Sequence, residues 1–261
     1  MHKQIETAFR SLTKVLLGQE LQNTQSYSEW LQRDVRMPTS QKSALSSQVV
    51  YLSYFSLFQQ TKKKVIKLDE AEKLGKKSIS EDEAKKLSLS NAAKILSEIK
   101  LYSPESEVGD NVHVEGVAQH GYSSYCFNGD AFVYSKYCAY SMWPRSSEYA
   151  FGSDFVFSSK FCLKCFNSVN LSRCFEVSHS VSCSDCYFCH NCENLRECMF
   201  CFNTKNKSYA IGNAELGRED YLKVKKLILG QIAQKLEKDK SFPLSIYNIG
   251  CFSRKRMGRE R

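Results

Sequence analysis

Stepping through the chain by twelve residues from Cys126 gives Cys138, Ala150, Cys162, Cys174, Cys186 and Cys198, so six of seven positions are cysteine and the other is the smallest apolar substitute. No insertion breaks the register. Three residues later the column reads Gly129, Ser141, Ser153, Cys165, Val177, Cys189 and Cys201, and three residues earlier Ser123, Ser135, Ser147, Ser159, Leu171, Cys183 and Leu195. A repeat this short and regular predicts a β-solenoid, in which coils stack at about 4.8 Å and each position becomes a ladder of like residues. A twelve-residue coil encloses almost no volume. Its interior therefore takes cysteine, serine, alanine and glycine, and cysteine adds apolar surface without β-branching.

If the reference column points inward, alternation along a strand sends both of its neighbours outward. The preceding column holds Tyr125, Tyr137, Tyr149 and Phe161 before turning to Arg173, Asp185 and Glu197, and the following one holds Phe127, Ala139, Phe151, Leu163, Phe175, Tyr187 and Met199. Two outward ladders result. Contiguous aromatic surface marks a contact site, so Tyr125, Tyr137, Tyr149, Phe161, Phe127 and Phe151 are the candidate partner-binding residues. The partner is a protein or other polymer, or the chain's own N-terminal region folded over the ladder.

The flanks read as helix. Ile5, Phe9, Leu12 and Leu16 recur at helical spacing with Gly18 placed to end the helix. Ser80 and Glu83 form a capping box ahead of Leu87, Leu89, Ile95, Leu96 and Ile99, with serines at 88 and 90 as possible breaks. Between them the run from Val49 to Phe58 is too apolar to be surface, and Lys62 to Lys77 reads as a solvated connector. After the repeat, Arg218 to Lys238 sets Tyr221, Leu222, Leu227, Ile228, Ile232 and Leu236 along one face, with Glu219 and Asp220 at its start. An open solenoid end exposes unpaired strand edges, so this helix is the expected cap. The division is a helical region with a Lys-rich connector over 1–110, about seven coils over 111–205, a capping helix over 206–240 and a basic tail over 241–261.

Eleven of the twelve cysteines lie between Cys126 and Cys201. Cys183, Cys186, Cys189 and Cys192 follow one another at C-x-x-C spacing, which resembles the ligand runs of zinc and iron–sulfur sites. His179 and His190 lie near enough to complete such a shell. Against this, every cysteine falls on a column whose other rungs are residues such as serine, leucine, valine, glycine or alanine, and ligands are not interchangeable in that way. The packed-thiol ladder is the leading reading, with no cofactor; a zinc or iron–sulfur site at these four residues is the alternative. Cys189 and His190 point to opposite faces of a strand, which argues against a catalytic dyad. Asp130 and Asp154, two rungs apart, read as turn residues. Nucleotide-binding, zinc-protease and serine-hydrolase motifs are absent, so the expectation is a non-enzymatic protein.

Residues 1–110 carry 17 Lys and Arg against 14 Asp and Glu, residues 111–205 carry 7 against 8, and residues 206–261 carry 13 against 6. The basicity is in the tail. Arg254, Lys255, Arg256, Arg259 and Arg261 read first as a solvated end; they also offer the one footprint for a polyanion, nucleic acid or a membrane surface, and nucleic acid belongs to the metal-binding alternative. No signal peptide and no membrane span is evident, which places the chain in the cytoplasm with reduced thiols.

The stretch Phe161 to Leu229, above all ENLRECMFCFNTKNKSYAIGN (Glu193–Asn213) and GREDYLKVKKLI (Gly217–Ile228), resembles a family of uncharacterised cysteine-rich repeat proteins from metagenome-derived bacterial and archaeal genomes. Its members share runs of C-x-x-C coils, a cysteine–aromatic–cysteine closing motif, a basic aromatic segment and an E-x-Y helix. The resemblance implies a solenoid with a cap, but no activity, cofactor or catalytic residue. Longer members begin with zinc-ribbon-like cysteine pairs, and this chain has no cysteine before Cys126. The fold expected is mixed α and β, and the function a structural or interaction scaffold presenting a repetitive face.

Overall fold

The computed structural model describes residues 1–57 and 64–251. The chain is built around a parallel β-solenoid of about nine coils over residues 106–211. The pairing confirms the twelve-residue register: Cys126 faces Cys138, Cys162 faces Ala150 and Cys174, and Cys186 faces Cys198. The solenoid is longer than the seven coils over 111–205. Val114 pairs with Cys126 at one end and Ala210 with Cys198 at the other, so the outer rungs lack the cysteine that marks the repeat.

The cross-section follows from one backbone feature. From Tyr122 to Gly212, every third residue has φ between +46° and +63°. Each coil is thus a square of four three-residue sides, each contributing one inward residue, one outward strand residue and one outward residue in the left-handed corner. That conformation is worst for β-branched side chains and easiest for glycine and asparagine. No valine, isoleucine or threonine occupies a corner, whereas seven asparagines do: 128, 167, 170, 191, 194, 203 and 206. The corner N–H groups donate to the coil before, as Tyr140 does to Phe127 at 3.1 Å and Asn170 to Phe157 at 3.0 Å.

Four outward sides take names from their residues. The aromatic side carries Tyr125, Tyr137, Tyr149 and Phe161, and the helix side carries Phe151, Leu163, Phe175, Tyr187 and Met199. The aspartate side carries Asp130, Met142, Asp154 and Phe166, and the valine side Val133, Val169 and Val181.

Helix α1 (Lys3–Leu17) buries Ile5, Phe9, Leu12 and Leu16, and Gly18 ends it at φ +75°. It lies on the helix side, with Phe9 packed on Phe151 at 5.4 Å between centroids. Helix α2 (Ser28–Gln32) adds Trp30, whose ring meets Phe175 edge-on at 6.3 Å. The N-terminal region is not all helix. Val50 and Leu52 alternate inward along an antiparallel hairpin of β1 (Thr39–Lys42) and β2 (Val49–Leu52), while Val49, Tyr54, Phe55 and Leu57 stay exposed. Phe58 and the start of the lysine run, residues 62 and 63, lie outside the described residues.

The remainder holds three short helices, α3 (Leu68–Leu74), α4 (Glu81–Lys85) and α5 (Ala92–Ile95). Ser80 and Glu83 form the expected capping box. The chain then breaks where the serines compete for local bonds: the Ser88 amide donates to Asn91 Oδ1 at 2.8 Å, and the Ser88 and Ser90 hydroxyls meet at 2.9 Å. Leu87 and Leu89 are left exposed, so no long amphipathic face forms there.

At the C-terminal end the strand Ser208–Ile211 is paired antiparallel by Ala214–Glu215, which takes up the last open edge. Helix α6 (Arg218–Asp239) buries Tyr221, Leu229, Ile232, Ala233 and Leu236 and joins α1 and the helix side in one apolar cluster. Tyr221 meets Tyr209 of the last parallel strand edge-on at 5.7 Å, so the helix and the short antiparallel strand together close this end.

Candidate interaction faces and the thiol interior

All eleven cysteines of the solenoid are buried and reduced, while Cys251 is exposed. Their thiols have a fixed use. Cys165 Sγ donates to Leu163 O at 3.6 Å and to Cys174 O at 3.4 Å, and Cys192 Sγ to His190 O at 3.2 Å and Cys201 O at 3.4 Å. Serine hydroxyls on the same ladders do the same: Ser141 Oγ reaches Ala139 O at 2.9 Å and Ala150 O at 3.2 Å. Both side chains donate two residues back and nine residues forward. Serine also accepts the amide one coil later, as Ser153 does from Cys165 N and Ser180 from Cys192 N, both at 3.1 Å. The exchange of serine and cysteine along each ladder is therefore physical equivalence, since each fills the narrow core and satisfies a buried carbonyl.

Cys183, Cys186, Cys189 and Cys192 form the one coil with a thiol on each of its four sides, and Cys186 meets Cys174, Cys183, Cys189 and Cys198. Burial pushes the Cys126 and Cys189 thiols well up from the ordinary range and Cys192 to about 11, which disfavours the thiolate there, while hydrogen bonds from neighbouring thiols lower Cys183 and take Cys201 to about 3. Among the described residues no three His, Cys, Asp or Glu side chains converge as a metal-binding group. His190 faces outward from the aspartate side, where Nδ1 meets Ser178 Oγ at 2.8 Å, and His179 packs against its ring at 5.3 Å. Neither joins the thiols inside.

The outward aromatic column does stack. Centroid separations are 5.4 Å for Tyr125 and Tyr137, 5.1 Å for Tyr137 and Tyr149, and 4.5 Å for Tyr149 and Phe161. All four rings are partly exposed at the rim of the α1 contact. Lys136 Nζ lies 5.0 Å from the Tyr137 ring, and Lys160 pairs with Glu148 at 3.6 Å, so the rings are edged by alternating charge. Further along the column Arg173 grips Asp185 through two 2.7 Å bonds.

The second predicted ladder is different. Phe151 is fully buried beneath α1, and Phe127 is partly buried with its ring edge-on to Tyr140 at 5.7 Å. No external partner reaches Phe151. The strand position beside each buried thiol is the one the chain's own helices use, so this column is packing.

Sequence reasoning missed a third aromatic set. Tyr122 and Tyr134 sit at corners of the valine side, stacked at 4.9 Å with 8° between planes. With Phe55, His120 and Trp143 they line a groove of about 520 Å³. The same twelve-residue step carries their signal, three residues before Tyr125 and Tyr137.

Polar groups register the covering layer on the solenoid. Asp130 accepts the Tyr54 amide at 3.1 Å, Asp154 accepts the Arg36 amide at 2.9 Å and its Nε at 3.0 Å, and the Tyr140 hydroxyl donates to Gln25 Oε1 at 2.9 Å. Lys164, wholly buried, donates to Trp30 O at 3.1 Å and pairs with Asp34 at 3.1 Å. Asp130 and Asp154 are thus anchors for the N-terminal region and not simple turn residues. Such partners cost desolvation and contribute specificity of position.

The basic residues Arg254, Lys255, Arg256, Arg259 and Arg261 lie outside the described residues. No helix of the described residues is long and apolar enough to cross a membrane. No family model, curated protein or solved structure matches the chain, so the faces are interpreted from their own geometry.

Proposed function

We propose that the protein is a non-enzymatic interaction scaffold that presents the aromatic side of its solenoid to a macromolecular partner. The observation that carries this reading is the division of the sides. The helix and aspartate sides are overlaid by the chain's own segments and fastened to them by Asp130, Asp154 and Lys164. The Tyr125–Tyr137–Tyr149–Phe161 stack remains partly exposed. Aromatic rings in a rigid array offer large contact area at low entropic cost, and the flanking Lys136, Glu148 and Lys160 supply a polar rim.

The test is the double substitution Tyr137→Glu and Tyr149→Glu, with Val181→Glu on the valine side as control. Affinity capture and circular dichroism are compared with the wild-type chain. A folded double variant that loses a partner retained by the Val181→Glu chain supports the reading. Unfolding of the double variant, or unchanged capture, contradicts it.

The alternative is a zinc or iron–sulfur protein, and the coil Cys183–Cys192, with a thiol on every side, is the observation that favours it. Elemental analysis of chain purified without added metal decides: about one equivalent of metal whose removal unfolds the chain supports a structural site.

A further inference from the structure

Glu176 is the least satisfied of the charged groups buried between the solenoid and its covering layer. Asp130 accepts three backbone amides, from Tyr54, Gln119 and Ala131. Asp154 holds a guanidinium, and Lys164 is committed to Trp30 O and Asp34. Glu176, 0% exposed, accepts a single bond through Oε2, from the Ile246 amide at 2.8 Å, and its Oε1 is buried without a hydrogen-bond partner.

Ile246 belongs to residues 241–251, which run from the end of α6 back across the solenoid. Phe242 packs on Phe188 at 6.2 Å and Tyr247 on Phe166 at 5.1 Å. The Ile246 amide is the polar fastening of this segment to the helix side. The charged and titratable groups facing Glu176 are Lys164 and the buried thiol of Cys165 on the solenoid, Arg33 and Asp34 after α2, and Tyr247 on the segment itself. Burial pushes the Glu176 carboxyl up to about 7, with Lys164 opposing the shift.

We propose that residues 241–251 are a proton-sensitive strap, closed when Glu176 carries a proton and loosened when Glu176 ionises. A carboxylate has about four acceptor sites and is costly to bury with one donor. The neutral acid keeps the Ile246 bond through its carbonyl oxygen at far lower desolvation cost. Opening the strap admits water to the charged form.

The sign follows from linkage. The carboxyl binds its proton more tightly in the closed state than in an open, solvated one, where it returns to its ordinary range near 4.5. Closure is therefore favoured as pH falls from about 7 and weakened as pH rises through that value. A shift of this size corresponds to a change on the order of 100-fold in the closing equilibrium, at tenfold per pH unit.

The test is hydrogen exchange on the full chain at pH 6 and pH 8.5, with protection factors corrected for intrinsic rates. Strap amides are expected to lose up to about tenfold in protection at pH 8.5, since the closing equilibrium changes tenfold per pH unit only below about 7, while α1 amides do not, and Glu176→Gln is expected to abolish the difference. A wild-type strap indifferent to pH, a fall shared by α1, or an unchanged fall in the Glu176→Gln chain would overturn the proposal. Should that variant fail to fold, carbon-13 titration of the Glu176 carboxyl in the wild type decides. A midpoint near neutrality supports the strap, and one below about 5 overturns it.

Discussion

The thiol ladder inside the solenoid and the tyrosine ladder outside it come from the same twelve-residue step, one position apart in sequence, yet they are opposite kinds of surface. Every interior thiol of the repeat is buried, and most donate to backbone carbonyls of their own and the next coil, leaving them little further capacity. The rings stack on one another and keep an exposed edge. A column of identical residues is therefore not evidence of chemistry by itself. What separates the two is whether the structure already uses the group that could react or bind.

Charging the interior gives the sharpest contrast. Cys186→Asp puts a carboxylate among Cys174, Cys183, Cys189 and Cys198, and its cost is expected to be at least about 5 kcal/mol, enough to abolish folding. Loss of the cooperative urea transition would show it. A smaller effect distinguishes corner from side. Asn170 is exposed with φ +56°, so Asn170→Val is expected to cost about 1–2 kcal/mol, whereas Ser172→Val, at a strand position two residues on, is expected to be neutral within about 0.5 kcal/mol. Equal costs at the two sites would mean that the corner conformation does not govern residue choice. Smallest of all is Cys165→Ser. The hydroxyl can donate to the same two carbonyls, so a change below about 1 kcal/mol in urea unfolding is expected. A loss of several kcal/mol would show that sulfur is needed for more than packing and pairing.

Much of this was legible in the sequence. The register, the inward cysteines, the stacked column of Tyr125 to Phe161 and the capping box at Ser80 all follow from spacing. What was not legible has identifiable causes. Strand alternation alone does not reveal a square coil; the missing signal was the absence of β-branched residues at every third position, a rule of backbone strain and not of hydrophobicity. The end coils carry no cysteine signal, because Val114 and Ala210 occupy the cysteine column. Phe151 looked like Tyr149 in sequence, and only the placement of α1 decides that one is core and the other rim. Asp130 and Asp154 had no local signature either, since their partners, Tyr54 and Arg36, lie 76 and 118 residues away.

The central claim is that the cysteines of the repeat are buried, unligated packing groups and that recognition belongs to the outer sides. Thiol titration of native chain, purified without added metal or reductant, tests it most directly. Of the twelve cysteines, Cys251 alone is exposed, so one equivalent is expected to react promptly in the folded state and eleven more only on unfolding. Several prompt equivalents, or fewer than twelve after unfolding, would contradict the claim and return the thiols to chemistry.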